Sequence, residues 1–153
     1  MKSEFYKTTS SEDCLTFRFE SISEKKTIKK IITFVRISDS IDLYNLAFGD
    51  LKADDTTDDL SVSNNADLEK VIATVLQSIV LFFKAYPKAL LYIKGSTPAR
   101  TRLYRIVIDQ ALGEYQKGFE IFGMLDTEIE FFGRNRPYTA FVVKLNNKID
   151  IPL

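Results

Sequence analysis

No histidine occurs anywhere in the chain. Its absence removes the commonest general base, the commonest metal ligand and every histidine-based catalytic triad. Cys14 is the only cysteine, so an intrachain disulfide is excluded and a reducing cytoplasm is the simplest home. Its plainest role is that of a small, buried or half-buried strand residue. Net charge is missing too. The 21 basic residues balance 21 acidic ones, so nothing draws the chain in bulk to nucleic acid or to an anionic membrane. The longest apolar stretch, 71–83, is broken by Thr74, Gln77 and Ser78 and is too short and too amphipathic to span a bilayer. Residues 1–12 are polar and hold no signal-peptide core. There is no internal repeat and no low-complexity tract.

What remains is an ordinary globular composition. The 153 residues are 45% hydrophobic and 27% charged, which fits one domain whose core needs no disulfide or metal staple. A single domain over 1–153 is expected, with loose termini at 1–12 and 146–153.

Periodicity assigns the elements. Residues 15–20 alternate apolar and polar, the mark of a strand with one buried face. A second strand over 28–37 and a third over 42–48 flank a short turn, the pattern of a hairpin. Lys25, Lys26, Lys29 and Lys30 read as a solvated turn and strand edge. Five aspartates crowd 50–59, namely Asp50, Asp54, Asp55, Asp58 and Asp59, but lack the ligand spacing of a calcium loop. Asn64 can cap a helix with Asp67 at its third position, and the apolar rhythm from Leu68 to Tyr86 runs until Pro87. Residues 89–94 are apolar at successive positions, which predicts a central strand covered on both faces. A second helix starts with Thr97 as cap and Pro98 in its first turn, and ends near Gly118. A strand over 119–122 follows, then a predicted hairpin of 128–132 with 138–145. The order β-β-β-α-β-α-β-β, with room for one more short strand, implies an α+β domain. Its sheet is mixed and largely antiparallel, with two helices packed on one face.

Five clusters carry a resemblance: Tyr44-Asn45-Leu46-Ala47-Phe48-Gly49-Asp50; Asp58-Asp59; Ser63-Asn64-Asn65 with Asp67; Lys70-Val71-Ile72-Ala73-Thr74-Val75; and Gly95-Ser96-Thr97 with Ala99-Arg100-Thr101-Arg102-Leu103-Tyr104. With the late Tyr138, Ala140 and Phe141, the chain resembles an uncharacterised family of small bacterial proteins, mainly from Bacteroidota, over nearly its whole length. The resemblance implies a domain of unknown function and brings no activity, cofactor or site residue with it.

The densest chemistry lies between 95 and 105. A helical wheel turns Arg100 inward with Tyr104, Val107 and Ala111, while Arg102, Arg105 and Asp109 face away. Two roles compete for Arg100. It can anchor the helix start by pairing with Asp50 or Asp59, because an unpaired buried charge is costly. Alternatively it joins Ser96, Thr97, Arg102 and Arg105 around an anion, as helix N-termini and arginines do. The anchor is preferred for Arg100, which leaves Arg102 and Arg105 as the first residues to test for function. No Walker spacing is present.

The expected function is a non-enzymatic binding module with this arginine cluster facing a phosphate-bearing ligand. Nucleic acid is a weak candidate, with Arg134, Arg136 and Tyr138 as a second edge. The first alternative is a protein-interaction partner from a small bacterial gene pair, using a sheet face with exposed Phe131 and Tyr138. The second is a carboxylate or metal-dependent enzyme built on Asp50, Asp58 and Asp59. No cofactor, metal or membrane is implied.

Overall fold

The computed structural model describes residues 4–51, 57–58, 67–114 and 118–146. Among these residues nine strands form one sheet: β1 (Thr9–Ser10), β2 (Thr16–Ile22), β3 (Thr27–Arg36), β4 (Leu43–Leu51), β5 (Thr57–Asp58), β6 (Leu90–Ile93), β7 (Phe119–Met124), β8 (Ile129–Phe131) and β9 (Ala140–Leu145). Among the described residues two helices accompany it, α1 (Leu68–Ala85) and α2 (Pro98–Glu114). The strands lie in the order β1-β2-β3-β4-β6-β9-β7-β8, with β5 paired to the end of β4. Among the described residues only β4 and β6 are parallel neighbours. The domain is α+β, as the element order implied.

Helix α1 is the crossover between β4 and β6, and α2 carries the chain from β6 past β9 to β7. Both helices cover the same face. Phe82 of α1 stacks on Phe34 of β3 at 4.4 Å, Phe83 meets Phe119 of β7 at 5.7 Å, and Arg100 of α2 sits over Phe48 of β4. Strand β2 alternates buried Phe17, Phe19 and Ser21 with more exposed neighbours, as its period requires. The core is rich in phenylalanine, including the fully buried Phe17, Phe34, Phe48, Phe82, Phe83 and Phe141.

Four expectations change. Residues 128–132 do not pair with 138–145. Instead β8 pairs with β7, and β9 inserts between β7 and β6. The tight turn closed by Leu125 N–H on the Glu128 carbonyl at 2.8 Å makes β7 and β8 the hairpin. The longer stretch through Pro137 then has the reach to cross back to the far side of β7. Second, β6 is central but only its Leu91 and Ile93 side is buried by helices; Leu90 and Tyr92 are half-buried on the other face. Third, the N-terminal segment is tied down from Tyr6. Its N–H donates to Thr74 Oγ1 at 2.9 Å, and Thr9–Ser10 pairs with β2. Fourth, Asp67 stands at the N-cap rather than in the helix and makes no capping hydrogen bond. The proposed cap Asn64 lies outside the described residues. Cys14 is half-buried as expected, but in a turn, at φ 60°.

Candidate functional site at the start of α2

Both helices begin at the end of the sheet where the parallel strands β4 and β6 finish. This is the end at which α/β units place ligands. Thr97 caps α2 as the sequence predicts, its Oγ1 accepting the Arg100 N–H at 3.1 Å. Pro98 opens the helix without forfeiting a bond. Gly95 serves the protein itself. A Cβ there would lie 2.2 Å from the Thr101 nitrogen, so glycine lets the end of β6 press against the first turn of α2. That space is filled by protein backbone and is not open to a ligand.

Arg100 is 5% exposed and faces the sheet, as the wheel requires. Its guanidinium lies 4.9 Å from the centroid of Phe48, and Lys30 Nζ lies 5.6 Å from the same ring. Phe48 stacks parallel to Phe19 at 6.2 Å, Phe19 stacks on Tyr6 at 5.6 Å, and Lys70 Nζ lies 4.3 Å above Tyr6. Three rings in a stack thus carry a cation at each end, an arrangement favoured by the negative ring faces. Two carboxylates complete the cluster. Asp50 accepts a 2.5 Å hydrogen bond from Lys30, and Asp67 accepts 2.5 Å bonds from Tyr6 Oη and Ser21 Oγ. Desolvation first, then the Asp67 bond, raises the pKa of the Tyr6 phenol.

Sequence reasoning treated Lys30 as solvated, yet it is 4% exposed. The missed signal is its alternation with Ile32 and Phe34, which puts all three on the helix-covered face. Of the anchor candidates, Asp50 takes Lys30 as a partner, and Asp59 lies outside the described residues. Ser96 is exposed, the Thr97 hydroxyl serves the cap, and Arg102 points to solvent. Arg105 donates through its Nη2 to the Tyr138 carbonyl at 3.0 Å, fastening α2 to the segment before β9. Asp109 lies 3.9 Å from Arg134 across the same contact. Among the described residues no three potential metal ligands come together.

The second basic edge is likewise engaged. Arg136 holds Glu130 with two bonds, at 3.0 and 2.9 Å, and Tyr138 Oη donates to Glu130 at 2.7 Å while accepting from Gly133 N–H at 2.9 Å. The Arg136 bond first, then the Tyr138 bond, lowers the Glu130 pKa. Tyr138 is 3% exposed, which corrects its reading as a surface aromatic: its ring lies over Gly123, where a Cβ would sit 2.3 Å from it.

Phe131, by contrast, is 72% exposed. It ends a row that crosses the helix-free face strand by strand. In register the row runs Val35, Asn45, Tyr92, Val142, Phe122 and Phe131. Beside it stand exposed Ile37, Ile41 and Ile129. Among the described residues no helix covers this face.

The fold and these surfaces define a single-domain α+β protein with one helix-covered and one open sheet face. The chain belongs to DUF6934, a family of unknown function, which matches it over residues 2–146. Comparison with curated proteins and with solved structures gave no match. No helix among the described residues is long and apolar enough to cross a membrane.

Proposed function

We propose that this chain is a non-enzymatic interaction module of the bacterial cytoplasm whose open sheet face receives a protein partner. The observation that carries this role is the mostly apolar row ending in Phe131. Contiguous exposed apolar area on a folded domain marks a contact surface far more often than an idle one. Aromatic residues such as Tyr92, Phe122 and Phe131 are the types that dominate interface energetics. The test is a photo-crosslinking amino acid placed in the native host at position 131, at position 92, or at position 84 on the exposed side of α1. Protein adducts at 131 and 92 but not at 84 are expected. Their absence at both open-face positions would remove this role.

Anion binding at the start of α2 stands second, and one observation favours it: Lys30 and Arg100 set two cations about the Phe48 ring where both helices begin. A low-salt titration of nucleotides and inorganic phosphate against wild type and Arg102→Ala tests it. Binding lost in the variant would support the site, and no binding to either protein would discard it.

A further inference from the structure

The composition of the open face bears on what covers it. Val35, Asn45 and Tyr92 make one half of the row, and Val142, Phe122 and Phe131 make the other. The midpoint falls between β6 and β9. A two-fold axis running along the strands there sets Val35 opposite Phe131 of a second copy, Asn45 opposite Phe122, and Tyr92 opposite Val142. Every ring then meets a smaller side chain, the alternation that lets facing sheets interdigitate about 10 Å apart. In the neighbouring row Thr33 and Ala47 come opposite Ile129 and Met124, with exposed Lys94 at its centre.

Area agrees. The formal net charge is zero, so two copies approach without bulk repulsion. Seven adjacent strands, β2 to β8 in sheet order, span the face. With strands ~4.8 Å apart and about six residues of ~3.3 Å each, the projected face is roughly 600 Å², of the order of the ~800 Å² per partner in a standard interface.

We infer that the open face packs against a second copy of this chain about that two-fold axis, an isologous face-to-face dimer. The inference rests on the interaction role proposed above and names its partner. Sedimentation equilibrium on the purified full chain tests it. A dimer is expected, weakened about 30-fold or more by Phe131→Glu, the scale of a hot-spot loss, and unchanged by Lys84→Glu on the helix side. Phe131 is exposed enough that its replacement leaves folding intact, which circular dichroism checks. A second measurement fixes the geometry. In a Cys14→Ser background, Val35→Cys and Phe131→Cys chains, mixed and mildly oxidised, form a covalent pair, while Phe131→Cys alone does not couple to itself. Self-coupling at 131 would overturn the axis. A wild-type monomer at about 100 μM would overturn the dimer. If adducts at position 131 persist in cells with such a monomer, a different protein is the partner; if they are absent as well, the interaction role falls with the dimer.

Discussion

The guanidinium of Arg100 stacks over the ring of Phe48, 4.9 Å from its centroid, and thereby joins the first turn of α2 to the end of β4. The contact helps a residue 5% exposed to carry a full charge in the core. The planar group offers its face to the ring while its stem packs as a hydrocarbon. Arg100→Ala removes both, and about 2 kcal/mol or more of stability should go with it. Arg100→Met, which keeps the stem, should lose less. Urea unfolding of the three proteins measures the difference. A stable Arg100→Ala protein would mean that the charge is held in place for a ligand at the expense of the fold.

Gly95 makes a harder prediction. A methyl group there meets the Thr101 nitrogen at 2.2 Å, and backbone in a capped helix start cannot retreat as a flexible side chain can. Gly95→Ala should cost about 3 kcal/mol, at the upper end of overpacking penalties. The measured Tm should fall accordingly. A change of Tm within the error of the scan would show that β6 and α2 slide apart readily, and the region would then be soft enough to open.

Much of the fold was legible because one period rules each element. The alternation in 15–20 held as burial on one side, and the helical rhythm after Leu68 held as a helix, although α1 is buried at nearly every position from Val71 to Phe83. The inward turn of Arg100 was legible for the same reason. Partner choice was not. Nothing local in 138–145 says that it pairs with β6 and β7 in place of β8, because strand order is decided by which connections can reach. Lys30 was misread because a lysine among lysines looks solvated. Its partner across β3 and β4, Asp50, helps to make the buried position tolerable, and that pairing is non-local. Tyr138 hid for a like reason, since the glycine it covers lies 15 positions upstream.

The Lys30–Asp50 pair yields a double-mutant test. Lys30 is 4% exposed and Asp50 21%, so removing the lysine strands a carboxylate that is only partly hydrated. Lys30→Met alone should destabilise by about 2 kcal/mol, below the range for a fully buried pair. Adding Asp50→Leu should recover most of that loss, because no charge is then left without a partner. Chemical denaturation of the two single variants and the double variant closes the cycle. Additive losses would refute the coupling and would mean that Asp50 has another means of support.

Glu130 gives the pH dependence. Its pKa is lowered, chiefly by the hydrogen bonds from Arg136 and then by the one from Tyr138. Arg136 shifts up through the same contact, so the two partners agree. A folded-state pKa below the unfolded value means that the charged form is favoured in the fold. The stabilisation is therefore complete above the ordinary glutamate range, near 4.3, and is lost as the pH falls through the lowered folded value. Wild type should thus exceed Glu130→Gln in stability at neutral pH, and the gap should close at acid pH. An NMR titration of the Glu130 carboxyl should place its pKa below ~4.3 in wild type and return it toward that value in Arg136→Met. Because Tyr138 donates to the same carboxylate and its ring covers Gly123, acid should also loosen the segment before β9. Amide exchange at Gly133, whose N–H is held by Tyr138 Oη, would report that loosening directly. If exchange there stays constant from neutral to acid pH while Glu130 titrates, the carboxylate does not hold Tyr138 in place.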